Sequence, residues 1–140
     1  MKILLAADGS AYTRRAVNYL CKHLRTLGPD LEIHLLHIRP PLPGRATAAV
    51  SASAPRAFYA EESGKALAPA VRAFNRLRVR HKAVNLIGDL GRAICEYAKK
   101  GEFNLVVMGS HGNDALLNLV LGSVVSKVLA NCDVPALIVR

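Results

Sequence analysis

The chain has 140 residues, of which 51% are hydrophobic, so it is long enough for one globular domain with a sizeable core and too apolar for a disordered protein. Its 19 basic and 10 acidic residues give a formal net charge of +9, which is compatible with a nucleic acid, an acidic partner or a phosphorylated small molecule. The apolar runs are short or interrupted by polar residues, which argues against a signal peptide or a membrane span, and we expect a cytoplasmic protein.

Two strands and an intervening helix are predicted at the start of the chain. The run KILLAAD is apolar up to Asp8, which is typical of a parallel strand that is covered on both faces. Ser10 then precedes a helix that ends at Gly28-Pro29. One face of this helix is apolar and carries Val17, Leu20, Leu24 and Leu27. The segment Leu31–Ile38 predicts the second strand.

A long connection and a second helix are expected next. Residues 39–57 are rich in proline, alanine and serine and have no useful period, so we interpret Arg39–Ala57 as a mobile loop. In the helix that follows, Pro69 marks either a kink or the helix start. The apolar residues in register are Leu67, Val71, Phe74 and Leu77. The short run KAVNLIG predicts a third strand.

The last third of the chain predicts two more helices and two more strands. The third helix ends at Gly101 as its C-cap, and FNLVVMG follows it as the fourth strand. Gly122 opens a fourth helix, and VPALIVR is the fifth strand. The inward residues are expected to be Leu90, Ile94 and Tyr97 or Ala98 in the third helix, and Val125, Val128 and Leu129 in the fourth.

Strands and helices therefore alternate along the whole chain, with five strands and four helices. This alternation predicts an α/β fold in which one parallel sheet carries helices on both faces. We find neither an internal repeat nor a second domain, so residues 1–140 are predicted to form a single domain.

The ends of the first and fourth strands are the candidate ligand site. In open parallel sheets, ligands bind beyond the carboxyl ends of the strands, at the point where the winding direction changes. Asp8 follows the first strand and Gly109 ends the fourth. If these two strands are neighbours, the two residues flank one crevice.

Glycines around the fourth connection are typical of a phosphate cradle, because they permit close approach to backbone amides and a helix start supplies unpaired donors. Gly109 and Gly112 would form one edge, Gly122 and Ser123 the other, and His111 could donate a hydrogen bond. The alternative is structural. The first two glycines would then serve a tight turn, Gly122 a kink and Ser123 an N-cap.

The sequence resembles the universal stress protein family. MGSHG, nine further residues and then GS fit the G-2x-G-9x-G-S/T pattern of its ATP-binding members, and ILLAADGS, LLHI, VVMGSHG and VPALIV match along the chain. The resemblance implies an adenine nucleotide alpha hydrolase-like fold, which is a doubly wound five-stranded parallel sheet in the order 3-2-1-4-5. That order would place the first and fourth strands side by side.

The resemblance also implies a binding site for ATP, with or without Mg²⁺. Asp8 would accept hydrogen bonds from the ribose, and the adenine slot, ribose and phosphates would be contacted by Ala6, Ala7, Ile38, Met108, Gly109, His111, Gly112, Gly122, Ser123 and Val124. Members of the family often carry a hydroxyl residue where this chain has Val125, so one phosphate contact is expected to be missing.

Other chemistry has less support in the sequence. Asp8, Ser10 and His111 could suggest a hydrolytic triad, but no GxSxG elbow is present, and we assign no catalytic residue. His34 and His37 should point to opposite faces of a strand, and we expect no metal site. The widely spaced Cys21, Cys95 and Cys132 are interpreted as buried thiols in a reducing compartment.

The expected partners follow from surface chemistry and from the resemblance. The basic run from Arg72 to Lys82 could dock a partner, but aromatic residues are few and not interleaved with it, which argues against nucleic acid. An apolar last strand at a sheet edge favours a homodimer through residues 136–140. We therefore expect a cytoplasmic, dimeric, ATP-binding stress-signalling module with at most slow hydrolysis and a protein partner that the sequence does not identify. The alternatives are a nucleotide-free interaction module and a nucleotide-hydrolysing enzyme.

Overall fold

The chain folds around a five-stranded sheet, as seen in a computed structural model that describes residues 1–28, 30–41, 53–113 and 121–140. The elements in chain order are β1 (Lys2–Ala6), α1 (Ala11–Leu27), β2 (Glu32–Arg39), α2 (Ser53–Arg76), β3 (His81–Ile87), α3 (Leu90–Lys100), β4 (Leu105–Gly109), α4 (Ser123–Asn131) and β5 (Ala136–Val139). The five predicted strands and four predicted helices are therefore confirmed in type and order.

All neighbouring strands are parallel, and their order is β3-β2-β1-β4-β5. The predicted adjacency of the first and fourth strands is confirmed, because Ala6 of β1 pairs with Met108 of β4. The chain starts in the middle of the sheet, winds outward to β3 and then crosses back to β4. The carboxyl ends of β1 and β4 consequently flank the point where the winding direction reverses.

In the described part of the chain, each face of the sheet is covered by two helices, and each covered face forms a hydrophobic core. The first core lies under α1 and α2 and is built from Ile3, Leu5, Ala7, Ala16, Val17, Leu20, Leu31, Ile33, Leu35, Leu67, Ala70, Phe74 and Val107. The second core lies under α3 and α4 and contains Leu4, Leu36, Ile38, Ile94, Ala98, Phe103, Val106, Met108, Val125 and Val128. Burial on both faces explains why the central strands are continuous apolar runs.

The expected loop over residues 39–57 is wrong at both of its ends. Arg39 still belongs to β2, and α2 begins at Ser53, so residues 53–57 are helical. Residues 42–52 of that segment lie outside the described part of the chain. Pro69 lies inside α2 rather than at its start, on the exposed side of the helix. The alanine-rich composition that suggested a loop also favours a helix, because alanine has the highest helix propensity.

Two apolar residues that we expected to face inward are exposed. Leu77 lies just beyond the end of α2 with 46% of its surface exposed, and Leu129 of α4 is 49% exposed. Val125 and Val128 of α4 are buried as predicted. The inward stripe of this nine-residue helix is therefore too narrow to include position 129.

The helix ends follow the predicted capping in part. Ser10 caps α1 by accepting a hydrogen bond from the backbone N–H of Thr13 at 3.1 Å. Gly101 is the C-cap of α3, but the left-handed conformation is adopted by the next residue, Glu102, with a φ of 53°. Within the part of the chain that the structure describes, no helix is both long and apolar enough to cross a membrane.

Candidate functional site

A cavity of about 490 Å³ opens at the carboxyl ends of β1 and β4, between the starts of α3 and α4. The structure brings every predicted site residue to its wall, namely Ala6, Ala7, Asp8, Ile38, Met108, Gly109, His111, Gly112, Gly122, Ser123 and Val124. These residues come from four separate segments of the chain. Their convergence follows from the strand order, since β1 lies between β2 and β4 and pairs with both in parallel, so the carboxyl ends of the three strands are adjacent.

The carboxylate of Asp8 is fixed by the start of α1. Its Oδ1 atom accepts hydrogen bonds from the hydroxyl of Thr13 at 2.7 Å and from the backbone N–H of Ser10 at 2.9 Å. The backbone N–H of Asp8 in turn donates to the Thr13 hydroxyl at 3.2 Å. Its other oxygen, Oδ2, is turned toward Gly112, where a Cβ atom would lie only 2.8 Å away. The first carboxylate oxygen therefore anchors the side chain, and the second faces the turn after β4.

The turn after β4 is held against β1 and α1 by polar and ring contacts. The side-chain amide of Asn113 donates to the carbonyl oxygen of Asp8 at 3.0 Å. The ring of His111 lies 5.1 Å from that of Tyr12, and its Nδ1 atom lies 3.0 Å from the hydroxyl of Ser110. These contacts fix the orientation of the imidazole at the cavity wall.

The start of α4 forms the opposite wall. Gly122 is the N-cap residue without a side-chain cap, so the alternative in which Ser123 is the N-cap is wrong. The N–H of Gly122 donates to the carbonyl oxygen of Ser110 at 2.8 Å, which ties α4 to the turn after β4. The donors free for a ligand are therefore the next amides, those of Ser123 and Val124, because the first residues of a helix have no acceptor in a preceding turn.

Packing also restricts substitution at the three glycines of the motif, to different degrees. A Cβ atom on Gly109 would lie 2.5 Å from the Cβ of Tyr12 and 2.7 Å from its backbone carbon, so α1 occupies the space in front of this glycine. A Cβ atom on Gly122 would lie 3.3 Å from the backbone of His111 and of Ser110. Gly112 alone faces a functional side chain, the carboxylate of Asp8. The glycines bring backbone segments together, and the cavity forms beside them.

Several lining residues were not predicted. They are Thr13, Leu36, Arg39, Pro40, Leu90, Ile94 and Asn113, whereas Val125, which was expected near the phosphates, also lines the cavity. Leu36 could have been found, because it precedes Ile38 by two positions on the same strand face. No pattern in the sequence marks Arg39 as a residue of the cavity. Its guanidinium lies 3.7 Å from the carboxylate of Glu62 in α2, which links the end of β2 to the helix above it.

Apolar side chains dominate one side of the cavity, and polar groups converge on the other. Ile38 and Met108 belong to the second core, and Ile94 of α3 and Val125 of α4 close the apolar side. Asp8, His111 and the start of α4 form the polar side. A concave apolar wall with a few fixed polar groups is the usual form of a small-molecule site.

The start of α3 is positioned by Asp89, its N-cap residue. The carboxylate of Asp89 accepts from the backbone N–H of Arg92 at 3.0 Å and pairs with the ammonium group of Lys127 in α4 at 3.0 Å. The hydrogen bond from Arg92 and then the contact with Lys127 lower the pKa of Asp89 below its ordinary value. This pair connects the two helices that frame the cavity.

The histidines of β2 have other roles. His37 is buried, and its Nδ1 donates to the carbonyl oxygen of Ala7 at 2.7 Å, as expected for an interior, hydrogen-bonded histidine. His34 lies 2.9 Å from both the carboxylate of Glu32 and the hydroxyl of Tyr97. Among the described residues, no group of three or more His, Cys, Asp or Glu side chains could hold a metal ion.

Comparison with known proteins gives consistent results. A family model described as the universal stress protein family matches residues 1–140. The stress response protein NhaX of Bacillus subtilis (strain 168) is 24% identical over 161 residues, a match that covers 99% of this chain and 97% of NhaX.

Two solved structures show the same fold. The structure of the protein MJ0577 gives a TM-score of 0.80 at 23% identity, covering 99% of this chain and 94% of that one. The universal stress protein from Archaeoglobus fulgidus, solved in complex with dAMP, gives a TM-score of 0.70 at 18% identity, covering 100% of this chain and 98% of that one. At these identities the structural likeness establishes the fold.

Proposed function

Because this chain belongs to the universal stress protein family, we propose that it binds an adenine nucleotide in the cavity at the ends of β1 and β4, with ATP, alone or with Mg²⁺, as its principal ligand. The observation that carries the proposal is the position of Asp8. Its anchored carboxylate faces the turn after β4, with an apolar wall on one side and the start of α4 on the other. The dAMP complex of the Archaeoglobus fulgidus relative supports the choice of ligand class.

Each part of the nucleotide has a matching part of the cavity. The adenine ring packs against the apolar side chains of Ile38 and Met108 beside Ala6 and Ala7. The ribose hydroxyls donate to Asp8, and the phosphates accept hydrogen bonds from His111 and from the amides of Ser123 and Val124. The positive end of the α4 dipole favours the phosphate charge.

We further propose that nucleotide occupancy serves stress-response signalling in the cytoplasm, with at most slow hydrolysis. The hydroxyl of Ser10 accepts the N–H of Thr13, and Nδ1 of His111 faces Ser110, so the two side chains have separate partners. Cys21, Cys95 and Cys132 are free thiols, which suits a reducing compartment. The proposal includes a homodimer through residues 136–140, because among the described strands β5 pairs only with β4, which leaves its other edge available.

Titration calorimetry with ATP and AMP tests the binding proposal through the variant Asp8→Asn. An asparagine keeps an acceptor for Ser10 and Thr13, and it replaces the oxygen that faces Gly112 by an amide donor. We expect saturable binding by the wild type and at least about tenfold weaker binding of both nucleotides by the variant. Asp133→Asn is the matched control, since the Asp133 side chain is 87% exposed. Absence of saturable binding by the wild type, or equal affinities in the wild type and Asp8→Asn, contradicts the proposal.

A second candidate function is favoured by the basic residues at the end of α2 and the start of β3. Arg72, Arg76, Arg78, Arg80 and Lys82 are all exposed, and no acidic residue interrupts them in sequence. Arg78, Arg80 and Lys82 lie beyond α2, which ends at Arg76. This surface could dock an acidic partner without any nucleotide. A wild type that binds no adenine nucleotide, and that loses retention on immobilised heparin when Arg76 and Arg80 become glutamate, supports this second function.

A further inference from the structure

Two of the three cysteines meet on the side of the sheet that α3 and α4 cover. Cys95 lies in the middle of α3, and Cys132 is the C-cap residue of α4. Both are half-buried and pack against the second core. Cys132 is among the groups that raise the pKa of the Cys95 thiol, and both residues line one surface cavity. No local sequence pattern indicates this pairing, since the two positions are 37 residues apart.

The packing of the two helices explains the contact. At Gly91, a Cβ atom would lie 2.7 Å from the Cβ of Lys127, so α3 approaches α4 closely at this point. Cys95 is four residues beyond Gly91, and Cys132 is five residues beyond Lys127. Since a helical turn takes about 3.6 residues, the cysteines occupy the next level of the same helix–helix contact. Their proximity is set by backbone packing.

The pair is accessible from solvent. A second cavity, of about 500 Å³, is lined by both cysteines and by charged side chains that include Arg92, Glu96, Lys99 and Asp133. Among the described residues, it shares no lining residue with the cavity at the ends of β1 and β4. A small reagent could therefore reach the thiols without entering the proposed nucleotide site.

We propose that Cys95 and Cys132 form a reversible intrachain disulfide by exchange with a low-molecular-weight disulfide of the glutathione type. In the first step, the sulfur of one cysteine attacks a sulfur of glutathione disulfide, which gives a mixed disulfide and releases one glutathione thiol. In the second step, the other cysteine attacks its neighbour's sulfur and releases the second glutathione. Two protein thiols are oxidised, one glutathione disulfide is reduced, and the thiol protons pass through solvent to the two departing thiolates.

The geometry lets the exchange begin at either cysteine, since both line the same cavity. Burial raises the pKa of the Cys95 thiol to about 11, and the adjacent Cys132 adds to the shift. Cys95 is therefore almost entirely protonated at neutral pH, and the thiolate is the attacking species. Once Cys132 carries glutathione, the second step is intramolecular, so the high local concentration of the Cys95 sulfur compensates for its small thiolate fraction.

Cys21 provides an internal control. It packs against the first core, on the opposite face of the sheet, and burial raises the pKa of its thiol as well. Like Cys95 and Cys132, it is a half-buried cysteine, but it lies on the other side of the sheet from that pair. It should keep its free thiol under conditions that oxidise the pair.

The test is oxidation of the full chain in a series of glutathione disulfide to glutathione ratios, alkylation of the remaining thiols and mass spectrometry of the tryptic peptides. The cysteines fall in three different peptides, Ala16–Lys22, Ala93–Lys99 and Val128–Arg140. We expect the last two to become joined by a disulfide while Cys21 is still alkylated, and we expect dithiothreitol to restore all three thiols. Cys95→Ser and Cys132→Ser should each stop at a mixed disulfide with glutathione on the remaining cysteine of the pair, and Cys21→Ser should behave as the wild type.

Three results would overturn the proposal. They are mixed disulfides at Cys95 and Cys132 without a link between the two peptides, a disulfide between two chains, and alkylation of all three cysteines at every ratio. Far-UV circular dichroism of each variant verifies that a missing link does not come from a failure to fold.

Discussion

Gly112 and Asp8 face each other so closely that a Cβ atom on Gly112 would lie 2.8 Å from the Oδ2 atom of Asp8. The carboxylate has little freedom to move away, because its other oxygen is held by Thr13 and by the N–H of Ser10. The two residues are 104 positions apart in sequence, and the pairing of β1 with β4 brings them together. The glycine therefore permits one particular position of the carboxylate.

Gly112→Ala should weaken nucleotide binding while leaving the fold intact. The added methyl group pushes Asp8 away from its bonds to α1, and the ribose loses a fixed acceptor. We expect about a tenfold rise in the dissociation constant for AMP, equivalent to about 1.4 kcal/mol, measured by titration calorimetry. An unchanged dissociation constant for Gly112→Ala, alongside weakened binding by Asp8→Asn, would show that the methyl group is accommodated elsewhere.

Gly109→Ala should instead destabilise the protein. Its Cβ would overlap the backbone of Tyr12, which cannot rotate away as a side chain can, so α1 must shift. Overpacking of this kind typically costs about 1–3 kcal/mol of unfolding free energy, which urea denaturation can measure. Gly64→Ala is the matched control, since nothing lies within 4 Å of its added Cβ in α2, and a helix-interior glycine gains roughly 0.5–1 kcal/mol on replacement by alanine. Equal effects of the two substitutions would contradict the packing argument.

Val125→Thr should raise the affinity for ATP relative to AMP, if the cavity binds nucleotide as proposed. Val125 lies on the cavity wall beside the start of α4, where a hydroxyl could donate to an outer phosphate. One added hydrogen bond of about 0.5–1.5 kcal/mol corresponds to a roughly twofold to tenfold change in the affinity ratio. Val128→Thr is the control, because Val128 is fully buried in the same helix but does not line the cavity. A similar change in the ratio for both variants would argue against a direct contact.

Stability should decrease in acid through Asp89. Its folded-state pKa is lowered below the ordinary value of 3.8, first by the N–H of Arg92 and then by Lys127. The stabilisation is therefore complete above the unfolded-state pKa and is lost as the pH falls through the folded-state pKa. In Asp89→Asn, which keeps an N-cap acceptor but cannot titrate, Tm should be lower than in the wild type at neutral pH. The difference should begin to shrink near pH 4 and should disappear only at a lower pH, below the folded-state pKa. A difference that persists in strong acid would assign the effect to the cap alone.

Ala136→Pro should prevent dimerisation through β5. The carbonyl groups of Pro135 and Val139 accept from β4, so by strand alternation the N–H of Ala136 points away from the sheet. Proline at this position removes an outward donor without interrupting the pairing with β4. We expect sedimentation velocity to show a dimer for the wild type and for Ala136→Ser, and a monomer for Ala136→Pro. A wild type that sediments as a monomer at all concentrations contradicts the proposed interface.

The helices and strands could be predicted almost completely because their signals are local, whereas the strand order was implied by the family resemblance. Each buried strand is a continuous apolar run, and each helix begins or ends at a residue that cannot continue it, such as Ser10 or Gly101. The start of α2 could not be placed, since the segment around Ser53 lacks a helical period. The exposed Leu129 shows the same limit, because the width of an apolar stripe depends on what the helix packs against.

The residues of the candidate site were easier to name than their roles. Asp8 and the glycines stand out in sequence, but the contact of Gly109 with Tyr12 joins residues 97 positions apart and leaves no local pattern. The same holds for the adjacent thiols of Cys95 and Cys132. Contacts of this kind are created by the strand order and by helix packing, so they become visible only once the chain is folded.

The polar cluster of Glu32, His34 and Tyr97 lies near the amino end of β2, at the opposite end of that strand from the cavity. His34 precedes Leu36 and Ile38 on β2, so the same strand carries the cluster at its start and the cavity wall at its end. The two ends of this molecule can consequently be engineered separately. A reporter group or an affinity handle attached near Glu32 would leave the opposite rim, and whatever ligand it holds, undisturbed.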